Sequence, residues 1–177
     1  MNESFDLDGF VDALRHAALQ EDAPKALRRL MDEAVSDSDL MAAAIPDFGE
    51  DLILFEDDTV SIWYCHFTPG MTVPPHDHQM SAVIGVFRGQ ERNDFFERAP
   101  DGGLQKSAEV VLGAGDALSI GPSAIHAVTC TSATPCNGIH VYTGRLTTVT
   151  RSLFDPKTGR AIPFDDANYE ALMRPDG

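Results

Sequence analysis

The sequence predicts an all-β chain: a closed or sandwich-like array of short antiparallel strands, with N-terminal α-helices packed against it. Three observations carry this expectation. From Leu52 onward, stretches rich in Val, Ile, Thr and aromatic residues are separated by Gly, Pro and Asp. Turn signals such as Pro69-Gly70, Arg88-Gly89, Gly113-Ala114-Gly115 and Gly121-Pro122 space those stretches nearly evenly. Before residue 47 the texture differs, and apolar residues return at helical spacing.

The elements follow in order. Phe5, Phe10, Val11, Leu14 and Ala18 mark a helix over 5–20, with Asp6 and Asp8 placed to cap it. Pro24 suits the first turn of a second helix running through Leu27, Leu30, Met31 and Val35. A third, short helix covers Leu40 to Ala44 and ends near Pro46. Strands are expected near 52–55, 59–67, 71–75, 80–87, 92–97, 107–112, 116–120, 125–131, 137–143 and 146–150. The tail reads as a turn at Asp155-Pro156-Lys157-Thr158-Gly159, a short helix and a frayed end. Together these form one expected domain, 1–177, with a helical segment 1–46, a β-barrel 47–155 and a tail 156–177.

A chain of 177 residues with 43% hydrophobic content can bury one good core. Its 13 basic residues against 28 acidic ones give a net charge of −15, which disfavours nucleic acid and anionic membranes as partners. Cys65, Cys130 and Cys136 are odd in number and sparse, so they imply no disulfide framework and read as small buried hydrophobes. An acidic N-terminus with neither basic n-region nor apolar h-region makes a cytoplasmic location the expectation.

The chemistry centres on Pro74-Pro75-His76-Asp77-His78. On a strand, residues two apart project to the same face, so His76 and His78 are placed to grip a transition metal while Asp77 points away. The segment from Gly115 to His126 reads as a strand, a tight Gly-Pro turn and a second strand opening on His126. Such a turn returns His126 towards the first pair, making His76, His78 and His126 the candidate metal ligands. His16, on a helix, and His66, on a strand outside this pattern, read as non-functional.

The pattern Gly70-x5-His76-x-His78-x10-Gly89, then after 25 residues Gly115-x5-Gly121-Pro122-x3-His126, resembles the paired motifs of the cupin superfamily. The resemblance covers roughly residues 60–155 and implies a jelly-roll (double-stranded β-helix) barrel with a metal in its mouth. Many cupins add a glutamate four or five positions after the second histidine; here those positions hold Ala82 and Val83, and the next acid is Glu91. A site of three neutral imidazoles is similar to that of the cysteine and mercaptopropionate dioxygenases, which implies Fe(II), with Zn, Ni or Mn as the other metals such a site takes.

Ile139-His140-Val141-Tyr142 strengthens the likeness to that group, whose Ser-x-His-x-Tyr motif lines the metal cavity. His140 and Tyr142 match, but Gly138 stands where the serine belongs, and Val83 where animal cysteine dioxygenases carry a crosslinked cysteine. Arg151, eleven residues after His140, sits where mercaptopropionate dioxygenases keep an arginine for the substrate carboxylate. The resemblance therefore implies a thiol dioxygenase-like oxidoreductase acting on a small thiol and O2, with His140, Tyr142 and Arg151 as catalytic residues. Homodimerisation, common among cupins, is implied by resemblance alone. Blander readings stand beside these: His140 as a core histidine, Tyr142 as a barrel aromatic, Arg151 as an exposed partner of Asp155. So do two other functions, a cupin of another enzyme class and a non-catalytic small-molecule sensor.

Overall fold

The computed structural model describes residues 4–176. Two antiparallel sheets pack face to face in a jelly roll. One sheet joins β1 (Leu52–Glu56), β2 (Ser61–Phe67), β9 (Cys136–Tyr142), β4 (Ala82–Arg88) and β7 (Ala117–Ile120), in that spatial order. The other runs β11 (Ala161–Pro163), β10 (Ser152–Phe154), β3 (Met71–His76), β8 (Ile125–Cys130), β5 (Gln90–Arg98), β6 (Leu104–Gly113), and β12 (Arg174–Pro175) also pairs with β3.

Three helices cover the outer face of the first sheet: α1 (Leu7–Ala17), α2 (Ala23–Val35) and α3 (Ser38–Ala44). Asp6 caps α1 by accepting from Gly9 N at 3.0 Å, and Asp37 caps α3 by accepting from Leu40 N at 3.3 Å. Their apolar sides meet Ile62, Tyr64, Val83, Phe87, Ile139 and Val141, which alternate with inward residues along β2, β4 and β9. Leu14, Leu27 and Met31 are wholly buried there, each contributing about 1.5–3 kcal/mol of transfer free energy. Gly85 sets the spacing. A Cβ on it would come within 2.2 Å of Met31 Sδ and 2.8 Å of Val35 Cγ1, so only glycine lets α2 lie this close to β4. Because helices cover one face and the second sheet the other, all seven residues of β9 are buried.

Two parts of the chain depart from the sequence reading. Residues 146–150 form no strand, although Thr147-Thr148-Val149-Thr150 has strand composition. Side chains capture the backbone donors first: Leu146 N donates to Ser61 Oγ at 2.9 Å and Thr147 N to Glu56 at 3.2 Å. The strand forms later, as β10. The tail has the turn and the short helix that the sequence predicts, but up to Asp176 it is not frayed. After the Asp155 turn come β11, then α4 (Asp166–Leu172), capped by Asp165, then β12. Arg92 pairs with Asp176 at 2.9 Å, and Asp176 N donates to Gly70 O, so the last residues strap onto the rim of the second sheet. No helix among the described residues is long and apolar enough to cross a membrane.

Candidate metal centre

His76 and His126 face each other across the β3–β8 pair, as register partners. Pro74 and Pro75 cannot donate to the ladder, and the register shifts between Val73 and His76, so three residues of β3 oppose two of β8. This bulge turns His76 inward. His78 lies just beyond the strand end, so its approach to His76 comes from the turn rather than from regular alternation. Asp77 points away as expected: its carboxylate accepts from Ser152 N at 2.9 Å and Gln79 Nε2 at 2.7 Å.

The three rings converge. Nε2 of His78 lies 3.1 Å from Nε2 of His76 and 3.3 Å from Nε2 of His126. Donor nitrogens about 2.1 Å from one cation would stand roughly 3.0–3.4 Å apart at octahedral or tetrahedral angles. The outer nitrogens explain which atoms face inward. His76 Nδ1 donates to Pro74 O at 2.9 Å, and His126 Nδ1 to Asn93 Oδ1 at 2.9 Å. Both rings therefore present bare Nε2 lone pairs to the same point, an arrangement that repels itself unless a cation or a proton sits between. His78 Nδ1 is buried without a partner among the described residues. Burial holds His76 down to about 4 and His78 and His126 well below their ordinary value, so all three are neutral at pH 7, the form that ligates. The residues fit a divalent metal ion.

A cavity of about 220 Å³ opens over the three histidines, between the sheets. His140 and Tyr142 of β9 line it from the opposite sheet, with His140 Nδ1 3.3 Å from the Tyr142 hydroxyl. Burial takes His140 down to about 3 and raises Tyr142 well above its ordinary range, so one is a neutral imidazole and the other a protonated phenol. His140 Nε2 has no partner among the described residues. A Cβ at Gly138 would lie 3.5 Å from that nitrogen but only 2.8 Å from Gly85 O, so the backbone of β4 closes the place a serine would need. Across from Tyr142 stands Ala82, facing the inter-sheet space, whereas Val83 faces the helices. The metal-facing side thus meets a methyl group where many cupins offer a carboxylate.

Arg151 also lines the cavity. It is not paired with Asp155, whose carboxylate accepts from Lys157 N and Thr158 N in its own turn. Its guanidinium lies 3.6 Å from the centre of the Phe164 ring, and its side chain makes no ion pair or hydrogen bond among the described residues. Burial pulls it below its usual value, yet an arginine stays charged. Sequence reasoning missed Asp51, Trp63, Phe67, Leu146, Phe164 and Tyr169 as lining residues. Phe164 and Tyr169 come from the strapped tail, where Asp165 as a helix cap was the available signal. His66, set aside on sequence, faces outward and bonds Asp47 at 2.9 Å.

No family model matches the chain. No curated protein matches it either. Solved structures similar to it include an uncharacterised Klebsiella pneumoniae protein with a double-stranded β-helix domain, at 18% identity and TM-score 0.47, covering 62% of this chain and 83% of that one. A DMSP lyase, DddQ, from Ruegeria pomeroyi aligns at 19% identity and TM-score 0.47, covering 60% of this chain and 52% of the lyase. Bacillus subtilis oxalate decarboxylase, a protein with Mn(II) centres, aligns at 17% identity and TM-score 0.45, covering 55% of this chain and 24% of its own. The chain therefore spans about half of the lyase and about a quarter of the decarboxylase.

Proposed function

We propose that this chain is a metal-dependent oxidoreductase of thiol dioxygenase type. It adds both atoms of O2 to the sulfur of a small carboxylate-bearing thiol, of cysteine or 3-mercaptopropionate kind, giving a sulfinic acid. The reaction balances without a further reductant, since thiol plus O2 equals sulfinic acid. One observation carries the reading: a single small cavity joins three neutral imidazoles, a tyrosine–histidine pair and an arginine whose side chain makes no ion pair or hydrogen bond among the described residues.

His76, His78 and His126 would hold the ion. A divalent iron held there would supply the one-electron chemistry that lets triplet O2 react with a closed-shell thiol. Neutral ligands suit an anionic sulfur, because no carboxylate adds negative charge beside it. Arg151 binds the substrate carboxylate through its two-pronged guanidinium, and the Phe164 ring beneath it limits where that fork can swing. Tyr142 keeps its proton and offers it to the oxygen that gains charge, while His140, donating from Nδ1, holds the hydroxyl oxygen in place. Trp63, Phe67, Val73 and Leu146 exclude water around them.

The test is O2 consumption by Fe(II)-loaded protein over a thiol panel. One sulfinate is expected per O2 with cysteine or 3-mercaptopropionate, and little uptake with cysteamine, which lacks the carboxylate. Replacing Arg151 by Met is expected to raise KM at least tenfold for the carboxylate-bearing thiols. A metal-loaded protein showing no thiol-dependent O2 uptake overturns the proposal.

A further inference from the structure

Behind His126 runs a line of buried polar groups that the proposed chemistry does not use. Glu91 and Asn93, alternate residues of β5, both point into the space between the sheets and are both 0% exposed. Asn93 Nδ2 donates to Glu91 Oε1 at 2.8 Å, and Asn93 Oδ1 accepts from His126 Nδ1 at 2.9 Å. On the far side Cys136 Sγ donates to Glu91 Oε2 at 3.6 Å. The line ends at His126 Nε2, one of the three converging nitrogens.

Polarity runs along this line in one direction. An amide has a donor end and an acceptor end of nearly the same shape, so something must decide which end His126 meets. A carboxyl oxygen that carries no proton only accepts, so Glu91 Oε1 takes the donor end of Asn93 and leaves the amide oxygen for His126. That oxygen only accepts, so Nδ1 carries the ring proton and Nε2 keeps its lone pair. Were the amide reversed, its NH2 group would favour the other tautomer, with a hydrogen on Nε2 where a cation must bind. His76 has a main-chain carbonyl for the same purpose, and His78 has no outer partner. Only at His126 is the lock made of side chains. A merely structural role is a poor explanation, because apolar residues of similar volume fill such a place at no loss of stability.

We infer that Glu91 and Asn93 are positioning residues that fix the ring-nitrogen protonation of His126 and so set the affinity of the three-histidine group for a divalent cation. This rests on the reading that the three histidines hold a metal. Two measurements test it on the full chain: Co(II) dissociation constants by chelator competition, and histidine ring ¹⁵N shifts in the metal-free protein. Asn93→Leu and Glu91→Leu are each expected to weaken Co(II) binding about 10–100-fold and to shift His126 from the Nδ1–H tautomer to a mixture.

The double variant Glu91→Gln/Asn93→Asp keeps shape and polarity, since Gln donates to Asp and Asp accepts from His126. It is expected to restore both the tautomer and affinity to within a few-fold of wild type. Rescue of this kind distinguishes a positioning role from a folding one. Wild-type protein that binds no Co(II) defeats the three-histidine reading. Wild-type protein that binds it, beside folded Leu variants with unchanged affinity and tautomer, overturns the inference about Glu91 and Asn93 alone.

Discussion

The two faces of the β2–β9–β4 sheet obey opposite rules. Beneath the helices the contacts are mostly apolar, the polar groups of Tyr64 and Arg88 are hydrogen-bonded, side chains interlock, and Gly85 is small because Met31 fills its place. Between the sheets the same strands present His140, Tyr142, Trp63 and Gly138, and polar atoms are left without protein partners, among them His78 Nδ1 and His140 Nε2. A buried polar group costs about 1–3 kcal/mol when unpaired. The first face carries that cost nowhere, while the second concentrates it around one cavity. The difference separates a layer that holds the fold from a layer kept open for ligands.

The largest effect of a single substitution should come from the sealed face. Met31→Ala removes a fully buried side chain that rests on a glycine, so collapse around the gap is limited, and the expected loss is about 2–5 kcal/mol by urea unfolding. Metal bound per folded molecule should not change. A variant that folds normally but loses metal would show that the two layers are not separable.

The open face responds to pH rather than to a single substitution, and the response is measured on metal-free protein. His76 sits at about 4 and His140 at about 3, both lowered by burial from an ordinary 6.5. Above pH 6.5 neither state takes the proton. Below it the unfolded chain does and the folded one refuses, so stability falls as pH drops from 6.5 towards 4, by about 3 kcal/mol from His76 alone. Glu91 acts in the opposite sense. Burial raises it from 4.5 to about 7, so the folded state protonates first and gains stability as pH falls from 7 to 4.5. Four buried histidines outweigh one carboxyl, giving a net decline, and Glu91→Gln should steepen it. Stability that is flat between pH 6.5 and 4 would mean the cavity admits water freely.

How much of this was legible in the sequence follows the same division. Local rules decide the helices and most strands, because caps such as Asp6 and turn pairs such as Gly121-Pro122 act over a few residues. His76, His78 and His126 were readable because the spacing of two short motifs carries them together. The cavity walls were not. Phe164 reaches it through the β10–β11 pairing, its N donating to Arg151 O, and Tyr169 sits on the tail that Arg92–Asp176 and the β12–β3 pairing tie down, contacts about 80–100 residues distant in the chain. Thr147 and Thr148 misled for a related reason, since nothing local announces that Ser61 and Glu56 will take the backbone donors of this segment. Asn93 and Glu91 look like two polar residues on an ordinary strand until β8 brings His126 alongside, Asn93 facing Val128 and Phe95 facing His126.

The smallest expected effect sits at Gly138, where two contributions of opposite sign meet. Serine there would offer His140 Nε2 the partner it lacks, a hydrogen bond worth about 1 kcal/mol. The same substitution sets a Cβ 2.8 Å from Gly85 O, a main-chain atom held by the β4–β9 ladder, and crowding of that kind costs about 1–3 kcal/mol. Gly138→Ser should therefore destabilise by about 1 kcal/mol net, and Gly138→Ala, which crowds without bonding, by about 1 kcal/mol more. Thermal or urea unfolding of the pair separates the two contributions. If serine instead matches or exceeds glycine, the strands yield more readily than their fully buried ladder implies, and the open face is less rigid than the sealed one behind it.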